Sequence, residues 1–245
     1  MYIRRGQALI SKMRLLVVWQ GGGRVELAGT APAGGETREP GMPRQNRVRP
    51  DGELVAVPDR GTFWGSRGAL LDRDGRLARY SRGKDWLICV LEFKGRRRTV
   101  WTPGRQTELF FLDEATGLAA GHRPCGECRN AAYRAYKAAW ASANPDDPAN
   151  ASGIDARLHR DRLAATATRR SYRERLDALP EGTMVELDGK PWLVLGDELL
   201  AWSFGGYRER RSRAGIGKAT VVTPRASVAV LAAGYRPELH PSAVR

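Results

Sequence analysis

The chain has 245 residues, 42% of them hydrophobic, with a net charge of +14 and an isoelectric point near 10.4. That apolar content suffices for one large domain or two small ones and excludes a chain disordered throughout. No apolar run approaches the roughly 20 residues of a membrane span. The run Leu15–Trp19 is too short for the core of a signal peptide, so a cytoplasmic protein is expected.

The positive charge points to a polyanion partner, DNA or RNA, because Lys and Arg side chains release counterions condensed on phosphate. Composition offers a plainer source. The 41 basic residues are mostly arginine and alanine is abundant, as a GC-rich genome dictates for any protein. The distribution is more telling: residues 63–143 carry 15 basic and 8 acidic side chains, against 16 and 13 in residues 144–245. The excess surrounds the cysteines.

In chain order, residues 1–60 read as an N-terminal extension rich in Gly, Pro and charge, with no period of a helix or strand, and are expected to be disordered. From Phe63 the pattern changes. A turn is expected at Asp74–Gly75, strands at Trp86–Phe93 and in "TELFFL", and a short helix capped by Asp113 and ended by Gly121. An alanine-rich helix follows Cys128, with Tyr133, Tyr136 and Trp140 on one face as core residues. "ANPDDPANASG" interrupts it, and a second helical stretch is predicted from Ile154 to Pro180. Strands return at "TMVEL", "PWLVLGDELLAWS" and "ATVVT", and Thr223–Pro224 opens a last short helix.

Two stretches repeat. "LAAGHRP" (Leu118–Pro124) matches "LAAGYRP" (Leu231–Pro237) at six of seven positions, and "GKDWLI" (Gly83–Ile88) matches "GKPWLV" (Gly189–Val194) at four of six. Their shared order predicts an internal duplication. The fold class expected is α+β: two related β-β-α-turn units, residues 61–143 and 179–245, bridged by a helical segment, 144–178. In this alignment Cys89, Cys125 and Cys128 face Leu195, Glu238 and Pro241, so the second unit lacks all three cysteines. His122 faces Tyr235, which suggests that a ring is wanted there for packing.

A C-x-x-C in a turn presents two thiolates to one small ion, and zinc wants four N or S ligands in a tetrahedron. Cys125 and Cys128 are the candidate pair and Cys89 the candidate third ligand. A histidine is the expected fourth, one of His122, His159 and His240, and His122 is the candidate taken beside the cysteines. A redox dithiol and three inert core cysteines are the competing readings. Arg96, Arg97 and Arg98 in "KGRRR", with Arg123 and Arg129 beside the cysteines, are the candidate phosphate contacts.

"FFLDEATGLAAGHRPCGECR" resembles the second half of the metal-binding domain at the N-terminus of Ada-type DNA methylphosphotriester repair proteins. In that family a strand and short helix lead into A-G-(Phe/Tyr)-R-P-C-x-x-C, whose cysteines bind zinc. The resemblance implies Cys125 and Cys128 as zinc ligands, Arg123–Pro124 as the lead-in, and a helix from about Asn130. It covers roughly twenty of the 245 residues. The family has an earlier cysteine pair, one member of which accepts the methyl group. This chain offers Cys89 alone, so methyl transfer is not carried over.

The function expected is a zinc-stabilised nucleic-acid-binding protein in DNA repair or processing. The alternatives are a metal-dependent nuclease or repair-type hydrolase using His122 or His159, and a small-molecule enzyme with its pocket between the two units.

Overall fold

A computed structural model describes residues 42–96, 99–162 and 171–244. Residues 1–41, most of the expected extension, lie outside them, as do Arg97, Arg98 and residues 163–170 of the expected second helix. The described residues form one compact unit, of mixed α+β class as expected.

The chain enters through the hairpin β1 (Gln45–Val48) and β2 (Leu54–Ala56). These residues fall inside the stretch assigned to the extension, so its boundary lies well before residue 60. The hairpin lacks a long periodic run and is held by the sheet it joins: Val48 and Leu54 are buried, and β1 pairs with β5. Next come β3 (Phe63–Ser66), β4 (Leu87–Val90), β5 (Leu109–Phe111), the helix α1 (Glu114–Ala119) and the two-residue β6 (Arg123–Pro124). The first sheet has the order β2-β1-β5-β3-β4-β6.

Two helices follow, α2 (Asn130–Ala143) and α3 (Ala151–Arg162). The helix predicted to reach Pro180 does not. Tyr172–Arg175 is a strand, β7, because it pairs with the last strand of the second sheet. That sheet continues with β8 (Met184–Leu187), β9 (Lys190–Leu195), β10 (Glu198–Ser203), β11 (Gly206–Ser212) and β12 (Lys218–Val221), in the order β11-β10-β9-β8-β12-β7. The basic cluster Arg208–Arg213 lies largely within β11, whose edge position suits charged side chains. The helix α4 (Arg225–Ala232) closes the fold. Thr223 does not cap it; its hydroxyl accepts from the Met184 N–H.

The two sheets share a pattern. In each, the middle strand (β3 or β8) has antiparallel neighbours on both sides: the strand that follows a buried tryptophan or carries it (β4 or β9), and the strand leading into a short helix (β5 or β12). Both helices end the same way. The Gly121 N–H reaches the Leu118 carbonyl and the His122 N–H the Gly117 carbonyl; the Gly234 N–H reaches Leu231 and the Tyr235 N–H reaches Val230. Both glycines are left-handed, at φ +86° and +100°. The repeated "LAAGxRP" is thus a helix C-terminal cap, in which a left-handed glycine lets two N–H groups turn back onto orphan carbonyls.

The two sequence units do not pack as separate bodies. The largest core cluster joins Phe63, Ile88, Phe111, Tyr136 and Trp140 of the first half to Val230, Leu231 and Tyr235 of the second. The α1 helix is buried along its length, with Leu118 in that cluster and Ala115 and Ala119 against Met184 and Leu193 of the second sheet. Gly117 permits the close approach: a Cβ there would meet the Ile88 side chain at 2.6 Å. Of the expected aromatic stripe of α2, Tyr136 and Trp140 are fully buried in the core, whereas Tyr133 is only partly buried and lies under the Arg123 guanidinium.

Candidate metal centre

Alternation along β4 sends Ile88 into the main core and Cys89 to the opposite face of the sheet. There Cys89 stands opposite Trp64 on β3, which in turn stands opposite Phe110 on β5. The next contribution comes from β6, which runs parallel to β4 and pairs Pro124 with Ile88; the Cys125 N–H then donates to the Ile88 carbonyl at 2.9 Å. The cap after α1 therefore delivers Cys125 to the side of Cys89. In the second sheet the corresponding edge of β9 is taken by β10, and the segment after Gly234 goes elsewhere: the backbone of Glu238 bonds Glu114 at the start of α1.

The turn from Cys125 to Cys128 has the form of a metal knuckle. The Glu127 N–H donates to the Cys125 sulfur at 3.4 Å, the Arg129 N–H donates to the Cys125 carbonyl at 3.2 Å, and α2 begins at once. The ligand atoms of Cys89, Cys125 and Cys128 all lie within 4.8 Å of one another. Sulfurs sharing a tetrahedral zinc with bonds of about 2.3 Å stand roughly 3.5–4 Å apart, so a small contraction seats an ion. The convergence of Cys89 with the C-x-x-C pair, about 35 residues further on, is as the duplication argument expects.

Charge is shared unevenly. The hydrogen bond from Cys89, and backbone N–H groups of Cys128 and Glu127, draw the Cys125 thiol down to about 5 against the opposing effect of burial. The same bond, with burial, pushes Cys89 up; burial chiefly raises Cys128. One thiolate is thus stabilised before any ion arrives, and a bound cation displaces the remaining protons.

The three thiols open on a pocket of about 130 Å³ lined by Trp64, Leu91, Phe93, Arg96, Gln106 and Glu127, among others. Glu127, the residue between Gly126 and Cys128, forms an ion pair with Arg96 at 2.8 Å. Arg96 also lies over Phe93, in a loop where Lys94 and Gly95 adopt φ +51° and +65°. Sequence reasoning had no signal for Trp64 or Gln106 as neighbours of the thiols: strand pairing with β4 brings Trp64 there, and Gln106 lies just ahead of β5.

His122 does not join the centre. Its ring is fully buried against Phe111 and Trp86, at 4.7 and 5.0 Å between ring centres, and its Nε2 accepts from Arg67 Nε at 3.3 Å. Its place after Gly121 turns it into the core, where Tyr235 points in the other repeat. His159 lies on α3, its basicity lowered by burial and by Arg162 and Lys84. His240 bonds Ser242 through Nδ1 at 2.8 Å.

Two candidate phosphate contacts are also corrected. Arg123 makes a bidentate pair with Asp155, at 2.8 Å for both bonds, and is buried. Arg129 pairs in the same way with Glu114, at 2.7 and 2.9 Å, over the ring of Phe63. Both guanidinium groups are engaged by buried carboxylates: Arg123 ties β6 to α3, and Arg129 ties the start of α2 to α1. Of the candidate phosphate ligands in the described residues, Arg96 remains exposed.

A second concavity, of about 720 Å³, lies between α2 and the turn after α4, where a pocket between the units was anticipated. The polar groups at its floor satisfy one another: Glu114 takes hydrogen bonds from Arg129, the Tyr235 hydroxyl and the Glu238 N–H. Among the described residues no helix is long and apolar enough to cross a membrane.

The chain matches no protein-family model, no curated protein and no solved structure.

Proposed function

We propose that the protein is a zinc-stabilised nucleic-acid-binding protein acting in DNA repair or processing. The observation that carries this is the coupling of the three-cysteine group to the basic loop. Cys89 lies in the short strand that leads towards the Lys94–Arg96 loop, and Arg96 pairs with Glu127 inside the C-x-x-C turn. An ion held by the three sulfurs ties the base of the loop to the knuckle, so metal binding orders the cationic surface that meets phosphate. The net charge of +14 and the short resemblance to the Ada-type domain support the same reading.

The test compares zinc-loaded and chelated protein for binding to DNA and RNA duplexes and single strands across a salt series. Zinc-dependent binding with a steep salt dependence supports the proposal; equal binding with and without metal refutes it.

The count of protein ligands favours a second reading, a metal-dependent hydrolase acting on nucleic acid. Three ligands with one position left for water or substrate is the pattern of catalytic zinc. Glu127, rather than His122 or His159, is then the group placed to handle a proton. Zinc-dependent cleavage of a labelled oligonucleotide, abolished by Glu127→Gln, is its test.

A further inference from the structure

All three cysteines and all three histidines of the chain fall within the described residues, and the sulfur group contains no histidine. His122 is packed on Phe111 and Trp86, His159 lies on α3 near Arg162, and His240 is bonded to Ser242. Among the described residues no carboxylate joins the group either. Glu127 lines the pocket but is held by Arg96. A tetrahedral ion at this centre therefore takes its fourth ligand from outside the described side chains. The approach is the pocket of about 130 Å³ onto which the three cysteines open. That space matches about four water-sized groups, at about 30 Å³ each.

The lining selects the ligand. Three thiolates make a soft centre that favours a further polarisable sulfur donor over oxygen. Trp64, Leu91 and Phe93 offer apolar and aromatic walls, which suit carbon and sulfur. A thiolate adds one negative charge to a centre whose three thiolates already exceed the ion's two positive charges, and Arg96, which lines the same pocket in its pair with Glu127, brings positive charge beside it. We propose that the three-cysteine centre binds a small thiol as an exchangeable fourth ligand through this pocket. The metal–sulfur bond forms as a solvent ligand leaves, the thiol proton passes to solvent, and no electrons change hands. The proposal rests on the metal-centre reading above.

The experiment uses the full chain loaded with Co²⁺ and titrated with 2-mercaptoethanol, with ethylene glycol as the oxygen counterpart. Cobalt binding with a sulfur-to-cobalt absorption band establishes the three-thiolate centre. The thiol should then raise that band saturably by about one third, the ratio of four sulfur ligands to three, with cobalt retained on gel filtration. Glycol should leave the band unchanged. Leu91→Trp, which fills the pocket from an exposed position, should keep the original band and raise the half-effect thiol concentration several-fold. A cobalt band that the thiol does not move, that glycol moves equally, or that the thiol bleaches by stripping the metal overturns the inference alone. So does an unaltered thiol response in the Leu91→Trp protein. Failure to bind cobalt through sulfur overturns the metal-centre reading, and the inference with it.

Discussion

Arg129 holds Glu114 through two parallel hydrogen bonds, Nη1 to Oε1 at 2.7 Å and Nη2 to Oε2 at 2.9 Å, with side chains only 6% and 1% exposed. The pair links the residue after the C-x-x-C turn to the first residue of α1. Removing one partner strands the other as a buried charge, which costs about 3–5 kcal/mol. Arg129→Met should therefore lower the unfolding free energy by that amount in a urea titration. Its effect on the salt dependence of polyanion binding, measured where the variant is folded, should be nil. A stable variant with a flattened salt slope would return Arg129 to the set of phosphate ligands.

The two repeat glycines make a matched experiment. Gly121 and Gly234 both close a helix in the left-handed region, but their surroundings differ. A Cβ on Gly121 would meet the Arg162 side chain at 2.5 Å, whereas nothing lies within 4 Å of one on Gly234. Alanine carries about 1–2 kcal/mol of backbone strain in that conformation. Gly234→Ala should be destabilised by about that much, and Gly121→Ala by more, because Arg162 must also move from its bond to the Gly121 carbonyl. Equal losses in thermal unfolding would mean that Arg162 gives way freely.

How much of this was legible from residues alone depends on what sets each feature. The α1 cap, the α2 core face and the β8–β10 strands follow from local chemistry: Asp113 as N-cap, the spacing of Tyr136 and Trp140, and apolar runs between Gly turns. The grouping of Cys89 with Cys125 and Cys128 was reachable because a repeat showed all three missing together. The ligand role assigned to His122 and the phosphate roles assigned to Arg123 and Arg129 failed for a common reason. Proximity in sequence to Cys125 says nothing about which side of a strand or turn a side chain leaves from. The deciding partners, Arg67, Asp155 and Glu114, are 55, 32 and 15 residues away. The β1–β2 hairpin and β7 were missed because neighbouring strands, rather than their own pattern, hold them extended.

Asp113 links stability to pH. Its carboxylate is buried, and burial raises its pKa above the ordinary carboxylate value, although Thr116, Tyr207 and the His240 N–H all donate to it. Between the unfolded and the raised folded pKa, the folded state binds more protons, so this residue's contribution falls as pH rises through that window. The stability of the native chain relative to Asp113→Asn should therefore decline as pH rises from the ordinary carboxylate range, then level off. A difference that is constant with pH, or that grows, would show that the hydrogen bonds outweigh burial.

The basic loop carries the nucleic-acid reading. Neutralising Arg96 together with Arg97 and Arg98, the last two outside the described residues, should weaken binding to DNA or RNA. It should also flatten the dependence of log affinity on log salt by up to about 0.9 for each phosphate no longer neutralised. An unchanged slope would place the loop away from the nucleic-acid surface and leave the net charge to act elsewhere.

The central claim is that Cys89, Cys125 and Cys128 share one metal ion, and zinc content measures it directly. The chain purified without chelator should carry a single zinc, by elemental analysis against protein concentration. Cys89→Ser should lose it as fully as Cys125→Ser or Cys128→Ser, with a matching loss of thermal stability, whereas His122→Gln should retain it. Protein that binds no zinc even when it is supplied, or a Cys89→Ser variant that holds zinc as tightly as the native chain, would contradict the shared centre.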